Sequence, residues 1–165
     1  TKPGDMFILR NVGNFVPPYK PDNDYHGSSA VIEYAVNILE VKHIIVCGHS
    51  HCGACKSLYQ DFGDSADLVN VKKWLDLGKR AKEYTLLAIQ DKSDPEKLYR
   101  ATERISIVHQ MENLLTFPYI EKKVKAGEIQ IHGWYYKIED GTIEYYDGEE
   151  CSFKELKENK NANRS

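Results

Sequence analysis

Apolar residues fall along this chain in two habits, short unbroken runs and longer stripes at helical spacing, and their order predicts the fold. Met6 to Arg10 (MFILR) is a short apolar run after the Pro3-Gly4 turn and predicts a buried strand. Asn11 to Asp24 carries Gly13, Pro17, Pro18 and Pro21, which is loop chemistry. Ser28 is placed to cap a helix whose apolar positions are Val31, Ile32, Ala35, Val36 and Leu39. His43 to Cys47 (HIIVC), bounded by Gly48, reads as a strand buried on both faces, as in parallel sheets.

A short helix is expected from Gly53 through Leu58, then a polar loop over 61–67. Val71, Trp74, Leu75 and Leu77 predict helix within 69–88. Pro95 suits a first helical position and opens a long helix to about Phe117, with Ile105, Val108, Met111, Leu114 and Leu115 as its stripe. Pro118 ends it, and a last short helix over 119–126 stops at Gly127. The period then changes to two: Ile129, Ile131, Gly133 and Tyr135 alternate, Asp140-Gly141 is a hairpin turn, and Thr142 to Tyr146 returns. The order strand, helix, strand, helices, hairpin predicts an α/β fold: a mostly parallel central β-sheet flanked by helices, with an antiparallel C-terminal edge strand. Residues 1–156 are expected to form one domain, and the polar residues 157–165 a frayed tail.

Composition narrows the class. The chain has 165 residues, 41% hydrophobic and 28% charged, which suits a globular domain with a real core. The net charge of −3 and scattered Lys and Arg supply no electrostatic footprint for nucleic acid. No apolar run approaches the length of a membrane span. Thr1 stands directly before the first expected strand with no initiator Met, so residues upstream are expected. Three of the four cysteines, Cys47, Cys52 and Cys55, crowd around His49, whereas a secreted disulfide scaffold would spread them; a reducing, cytoplasmic setting is the expectation.

The chemistry concentrates at the carboxyl end of the second expected strand, where ligands bind in open α/β sheets. In Cys47-Gly48-His49-Ser50-His51-Cys52-Gly53-Ala54-Cys55, a His-x-x-Cys spacing lets an imidazole and a thiolate converge on one ion, and the glycines allow the backbone to bend. Three readings stand open on spacing alone. One is a zinc site with His49 and Cys52 as two ligands. Another is a Cys52-x-x-Cys55 redox pair, and the last is a buried thiol cluster without chemistry. Cys47 reads as a core thiol, Cys55 as core packing, and His51 as solvent-facing.

These residues resemble the β-class carbonic anhydrases. Pro3-Gly4-Asp5 leading into Arg10-Asn11-x-Gly13-Asn14, Ser29 to Ala35 (SAVIEYA), Val41 to Ala54 (VKHIIVCGHSHCGA) and Ile131 to Tyr136 (IHGWYY) followed by Asp140-Gly141 are similar to that family's motifs over nearly the whole chain. The resemblance implies reversible hydration of CO2 to bicarbonate and a proton, with one Zn2+ per chain in an intact form. It implies His49 and Cys52 as metal ligands, and Asn11, Gly13, Asn14, Gly48 and Gly53 as pocket-lining residues. It also implies a first zinc cysteine in a Cys-x-Asp-Ser-Arg motif, whose Asp and Arg form the catalytic dyad. That motif would lie upstream of Thr1, so no catalytic residue beyond the zinc ligands is assigned here. The implied activity favours alkaline pH, because two thiolates offset much of the ion's charge. A homodimer or dimer of dimers is implied, and the hairpin tyrosines Tyr135, Tyr136, Tyr145 and Tyr146 suit a subunit interface. Two other possibilities stand beside the enzyme: an inactive, zinc-poor relic of the fold, and a dithiol protein using Cys52 and Cys55. Arg10 is given no catalytic role, and His132 and Glu33 read as structural.

Overall fold

The computed structural model describes residues 2–64 and 66–157, so all of the expected tail except Lys157 lies outside the described residues. Its elements run α1 (Gly27–Asn37), β1 (His43–His49), α2 (Gly53–Ser57), α3 (Val69–Leu75), α4 (Lys79–Ala88), α5 (Pro95–Leu114), α6 (Pro118–Lys125), β2 (Gln130–Tyr136), β3 (Ile143–Asp147) and β4 (Ser152–Glu155). A 3-10 turn at Asp76–Gly78 splits the helix expected over 69–88.

Local chemistry accounts for the long helix. The Asp94 carboxylate accepts the backbone N–H groups of Glu96 at 3.0 Å and Lys97 at 3.3 Å, and Pro95 occupies the first turn, where its missing N–H costs nothing. α5 then buries Leu98, Thr102, Ser106, Ile107, Gln110 and Leu114 as it packs on β1, β2, α2 and α4. Val46 of β1, Ile107 and Leu114 of α5, Phe117, Ile120 of α6, Ile129 and Tyr135 form the main core.

The sheet has four strands in the order β1-β2-β3-β4. Only β1 and β2 are parallel, with Val46 opposite Gly133 and His49 opposite Tyr136; β2–β3 and β3–β4 are antiparallel. The sheet is therefore mixed, and the mostly parallel sheet expected from the element order is wrong. Two observations explain the difference. The Asp140-Gly141 hairpin, with Gly141 at φ 75°, is followed by a second tight turn, where Asp147 accepts the N–H groups of Glu149 and Glu150. Each turn forces an antiparallel pairing. The segment Met6 to Arg10, expected as a buried strand, pairs with nothing among the described residues; Phe7 is 51% and Ile8 66% exposed.

β1 also corrects an expectation. Its residues alternate, Val46 and Gly48 facing α5 while His43, Ile45 and Cys47 are exposed, so it is buried on one face. Cys47 is accordingly not a core thiol. Among the described residues, no helix is long and apolar enough to cross a membrane.

Candidate metal centre

The His-x-x-Cys segment forms the turn between β1 and α2, immediately after the carboxyl end of the parallel strand pair. His49 is the last residue of β1, and Cys52 is the N-cap of α2. Between them Ser50 is fully buried and His51 takes a left-handed backbone, φ 57°. The Ser50 backbone N–H donates to the Tyr136 carbonyl at 2.9 Å, which carries the β1–β2 pairing one residue further. Its hydroxyl accepts the Ile138 N–H at 2.8 Å and donates to Glu139 Oε2 at 2.7 Å. Glu139 Oε1 pairs with His51 Nε2 at 2.7 Å on the exposed rim. These bonds, the Ser50 hydroxyl foremost, hold the Glu139 carboxyl below its ordinary value.

His49 lies 2.7 Å through Nδ1 from the Ser50 carbonyl oxygen. A carbonyl can only accept, so Nδ1 carries a proton, and in the neutral ring Nε2 presents its lone pair. That tautomer is the one a metal-ligating imidazole adopts when its second nitrogen is anchored to a carbonyl. The Cys52 thiol is buried, and its pKa is lowered to about 5, chiefly by a hydrogen bond from the Cys55 side chain, with a smaller contribution from His49. Its partner moves the other way: the Cys55 thiol is pushed up by the thiolate beside it and by burial. A neutral imidazole nitrogen and a thiolate are the donor set that Zn2+ prefers, so the two side chains fit that ion chemically. Among the described residues, no group of three His, Cys, Asp or Glu side chains could hold a metal.

A residue the sequence did not flag underpins the turn. Glu103 of α5 is buried, and its Oε1 accepts the Cys52 backbone N–H at 2.8 Å while Oε2 accepts the Tyr135 hydroxyl at 2.8 Å. Arg100 Nη2 stands 3.0 Å from Oε1. Burial raises the Glu103 carboxyl, against these favourable contacts. The hydroxyl places Tyr135 inside the core, so only its three hairpin neighbours remain part-exposed or exposed. Glu103 lies on the buried face of α5, one turn before Ile107, outside the apolar stripe that the sequence spacing marks.

The expected pocket residues cluster here in part. Gly13, at φ 79°, lies so close that a Cβ would meet Ala54 Cβ at 2.9 Å and Phe15 Cζ at 2.8 Å. A Cβ at Gly48 would meet Ile107 at 2.8 Å and Asn14 Oδ1 at 3.5 Å. The 11–14 loop therefore packs on the end of β1 and the start of α2. Asn11 Nδ2 donates to the Phe15 carbonyl at 2.9 Å and so shapes the loop. Gly53 faces open space and has no close neighbour that requires a glycine. Cavities of about 270 Å³ beside Arg104, Tyr146 and Cys151, and about 220 Å³ beside Leu58 and Lys72, lie away from His49 and Cys52. His132 is matched by His43, Nε2 to Nδ1 at 3.1 Å.

Comparison with known proteins converges on one family. The family model described as carbonic anhydrase matches residues 1–143. A carbonic anhydrase of Synechocystis is 40% identical over 147 residues, 88% of this chain and 52% of that protein. A carbonic anhydrase of Helicobacter pylori is 33% identical over 160 residues, 96% of this chain and 72% of that protein. The solved β-carbonic anhydrase CcaA superposes with a TM-score of 0.83 at 34% identity, covering 96% of this chain and 70% of that one. The chain spans about half the length of the curated Synechocystis and Arabidopsis thaliana relatives.

Proposed function

Because the chain belongs to the β-carbonic anhydrase family, we propose that it contributes His49 and Cys52 to a zinc site that reversibly hydrates CO2 to bicarbonate and a proton. The observation that carries this reading is the anchoring of His49: its Nδ1–H is committed to the Ser50 carbonyl, which in the neutral ring leaves Nε2 available, three residues before a cysteine whose thiol is held low. Zinc, when bound, supplies the Lewis acidity that lowers the pKa of its water and yields a hydroxide nucleophile, favoured at alkaline pH where thiolate ligands offset the ion's charge.

This chain's residues hold and orient. Cys52 supplies negative charge, Glu103 fixes the backbone that bears it, and the Ser50–Glu139 bond closes the turn over the sheet. Gly13, Asn14 and Gly48 bring the 11–14 loop against the site, where they would wall a pocket for a molecule as small as CO2. The Cys-x-Asp-Ser-Arg motif implied by the resemblance does not occur in residues 1–165, so the reading assigns two of three protein donors to this chain. The same reading includes one domain over 1–156, a cytoplasmic setting and a homodimer. Exposed Met6, Phe7, Ile8, Leu9 and Tyr34 support the dimer.

A second reading, a zinc-poor and inactive member of the fold, is favoured by the lack of a three-donor group among the described residues. Metal content measured together with stopped-flow CO2 hydration separates the two. One zinc per chain with fast hydration supports the enzyme; neither zinc nor rate supports the relic.

A further inference from the structure

The pairing of Cys52 with Cys55 has a consequence beyond metal binding. Cys52 is the N-cap of α2 and Cys55 its third residue, so the two stand on adjacent turns of one face. Ideal helix geometry separates such Cα atoms by about 5 Å, inside the roughly 4.4–6.8 Å a disulfide accepts. The two side chains are neighbours within one buried cluster, each the largest influence on the other's thiol. Both are buried, at 5% and 1% exposure, in one cluster with Phe15, Ala54, Leu58 and Leu75. Cys47 and Cys151, by contrast, are exposed.

We propose that Cys52 and Cys55 form a peroxide-sensitive dithiol that closes to a disulfide and thereby withdraws Cys52 as a metal ligand. The disulfide step stands independently of the zinc reading; only the withdrawal of a metal ligand rests on it. Hydrogen peroxide is the oxidant, small enough for a buried sulfur. The Cys52 sulfur attacks one peroxide oxygen; an S–O bond forms, the O–O bond breaks, and the departing hydroxide takes a proton to become water. The Cys55 sulfur then attacks Cys52 Sγ; the S–S bond forms, the S–O bond breaks, and hydroxide leaves with the Cys55 proton as a second water. Two thiols lose two electrons and two protons, and the peroxide is reduced to two waters. Cys55 is thus a resolving thiol that spares Cys52 from irreversible over-oxidation.

The test uses the metal-free full chain, treated with hydrogen peroxide and then mapped by peptide mass spectrometry without reduction. The expected product is a peptide linked Cys52 to Cys55, lighter by two hydrogens and reversed by a dithiol reductant. In Cys55→Ser and Cys55→Ala, Cys52 should instead accumulate sulfinic acid several-fold faster than in the parent chain. Zinc titrated into the oxidised parent should bind more weakly than into the reduced one. Over-oxidation of Cys52 at equal rates with and without Cys55, or a disulfide joining Cys52 to Cys47 or Cys151, overturns the proposal. Should both variants fail to fold, the linked peptide in the parent chain decides alone: its presence supports the dithiol and its absence rejects it. A chain that forms the disulfide but never binds zinc would reject the zinc reading and leave the dithiol standing.

Discussion

Glu103 accepts the backbone N–H of Cys52 at 2.8 Å across 51 residues of sequence, tying the middle of the longest helix to the turn that carries the sulfur. The same carboxylate takes the Tyr135 hydroxyl through its other oxygen, so helix α5, strand β2 and the site turn meet at one buried charge. Removing it leaves a buried N–H, a buried hydroxyl and the Arg100 guanidinium short of partners. Glu103→Ala is expected to cost about 3–5 kcal/mol in urea unfolding. Glu103→Gln, which keeps an acceptor for the Cys52 N–H, should cost clearly less. Equal losses in both variants would mean that the negative charge, and not the acceptor for the Cys52 N–H, carries the effect.

The approach of α5 to β1 depends on Gly48. A methyl group there would sit 2.8 Å from two carbons of Ile107, a fully buried side chain with nowhere to turn. Gly48→Ala should destabilise the chain by about 1–3 kcal/mol through overpacking. Adding Ile107→Val, which removes one of the two clashing carbons, should recover part of that loss; thermal unfolding of the single and double variants is the measurement.

Ser50 offers a cheaper probe of the rim. Ser50→Ala removes the acceptor of the Ile138 N–H and the donor to Glu139, and is expected to cost about 1–3 kcal/mol. Glu139 titrates below its ordinary 4.5 in the folded chain, so its contribution is present above 4.5 and is lost as pH falls through the lower folded value. In Ser50→Ala, the carboxyl resonance of Glu139 followed by NMR should titrate closer to 4.5.

The Cys52 thiol has an ordinary value of 9.0 and a folded value of about 5. A depressed acid stabilises the fold fully above the unfolded value, and the contribution disappears as pH falls through the folded one. Ultraviolet thiolate absorbance of the metal-free chain should therefore persist at neutral pH and vanish near pH 5. Cys55→Ala removes the largest cause of the shift, so the midpoint should move upward. An unchanged midpoint would assign the shift to His49 and the backbone.

Much of this architecture is legible in the sequence because local chemistry decides it. Asp94-Pro95 starts α5, Pro118 starts α6, and Asp140-Gly141 turns β2 into β3. What a run of apolar residues does not encode is its neighbours. MFILR reads as a buried strand by composition, yet it pairs with no strand among the described residues; HIIVC is a strand, but one face is open. Strand β4 is four residues long with Phe153 as its only apolar member, too short and polar for periodicity to register. At the site, the His-x-x-Cys spacing is enough to bring the two candidate donors into one turn. Glu103 escapes because its two partners, Cys52 and Tyr135, come from distant segments, and a lone carboxylate on a helix ordinarily reads as solvated.

The central claim, that His49 Nε2 and Cys52 Sγ hold zinc, is tested most directly by zinc-edge X-ray absorption on the zinc-loaded chain, with Cys52→Ser alongside. The expected spectrum contains a sulfur shell near 2.3 Å and imidazole nitrogen near 2.0–2.1 Å, with the sulfur contribution reduced or lost in Cys52→Ser. A shell of oxygen and nitrogen alone, identical in the two proteins, would contradict it.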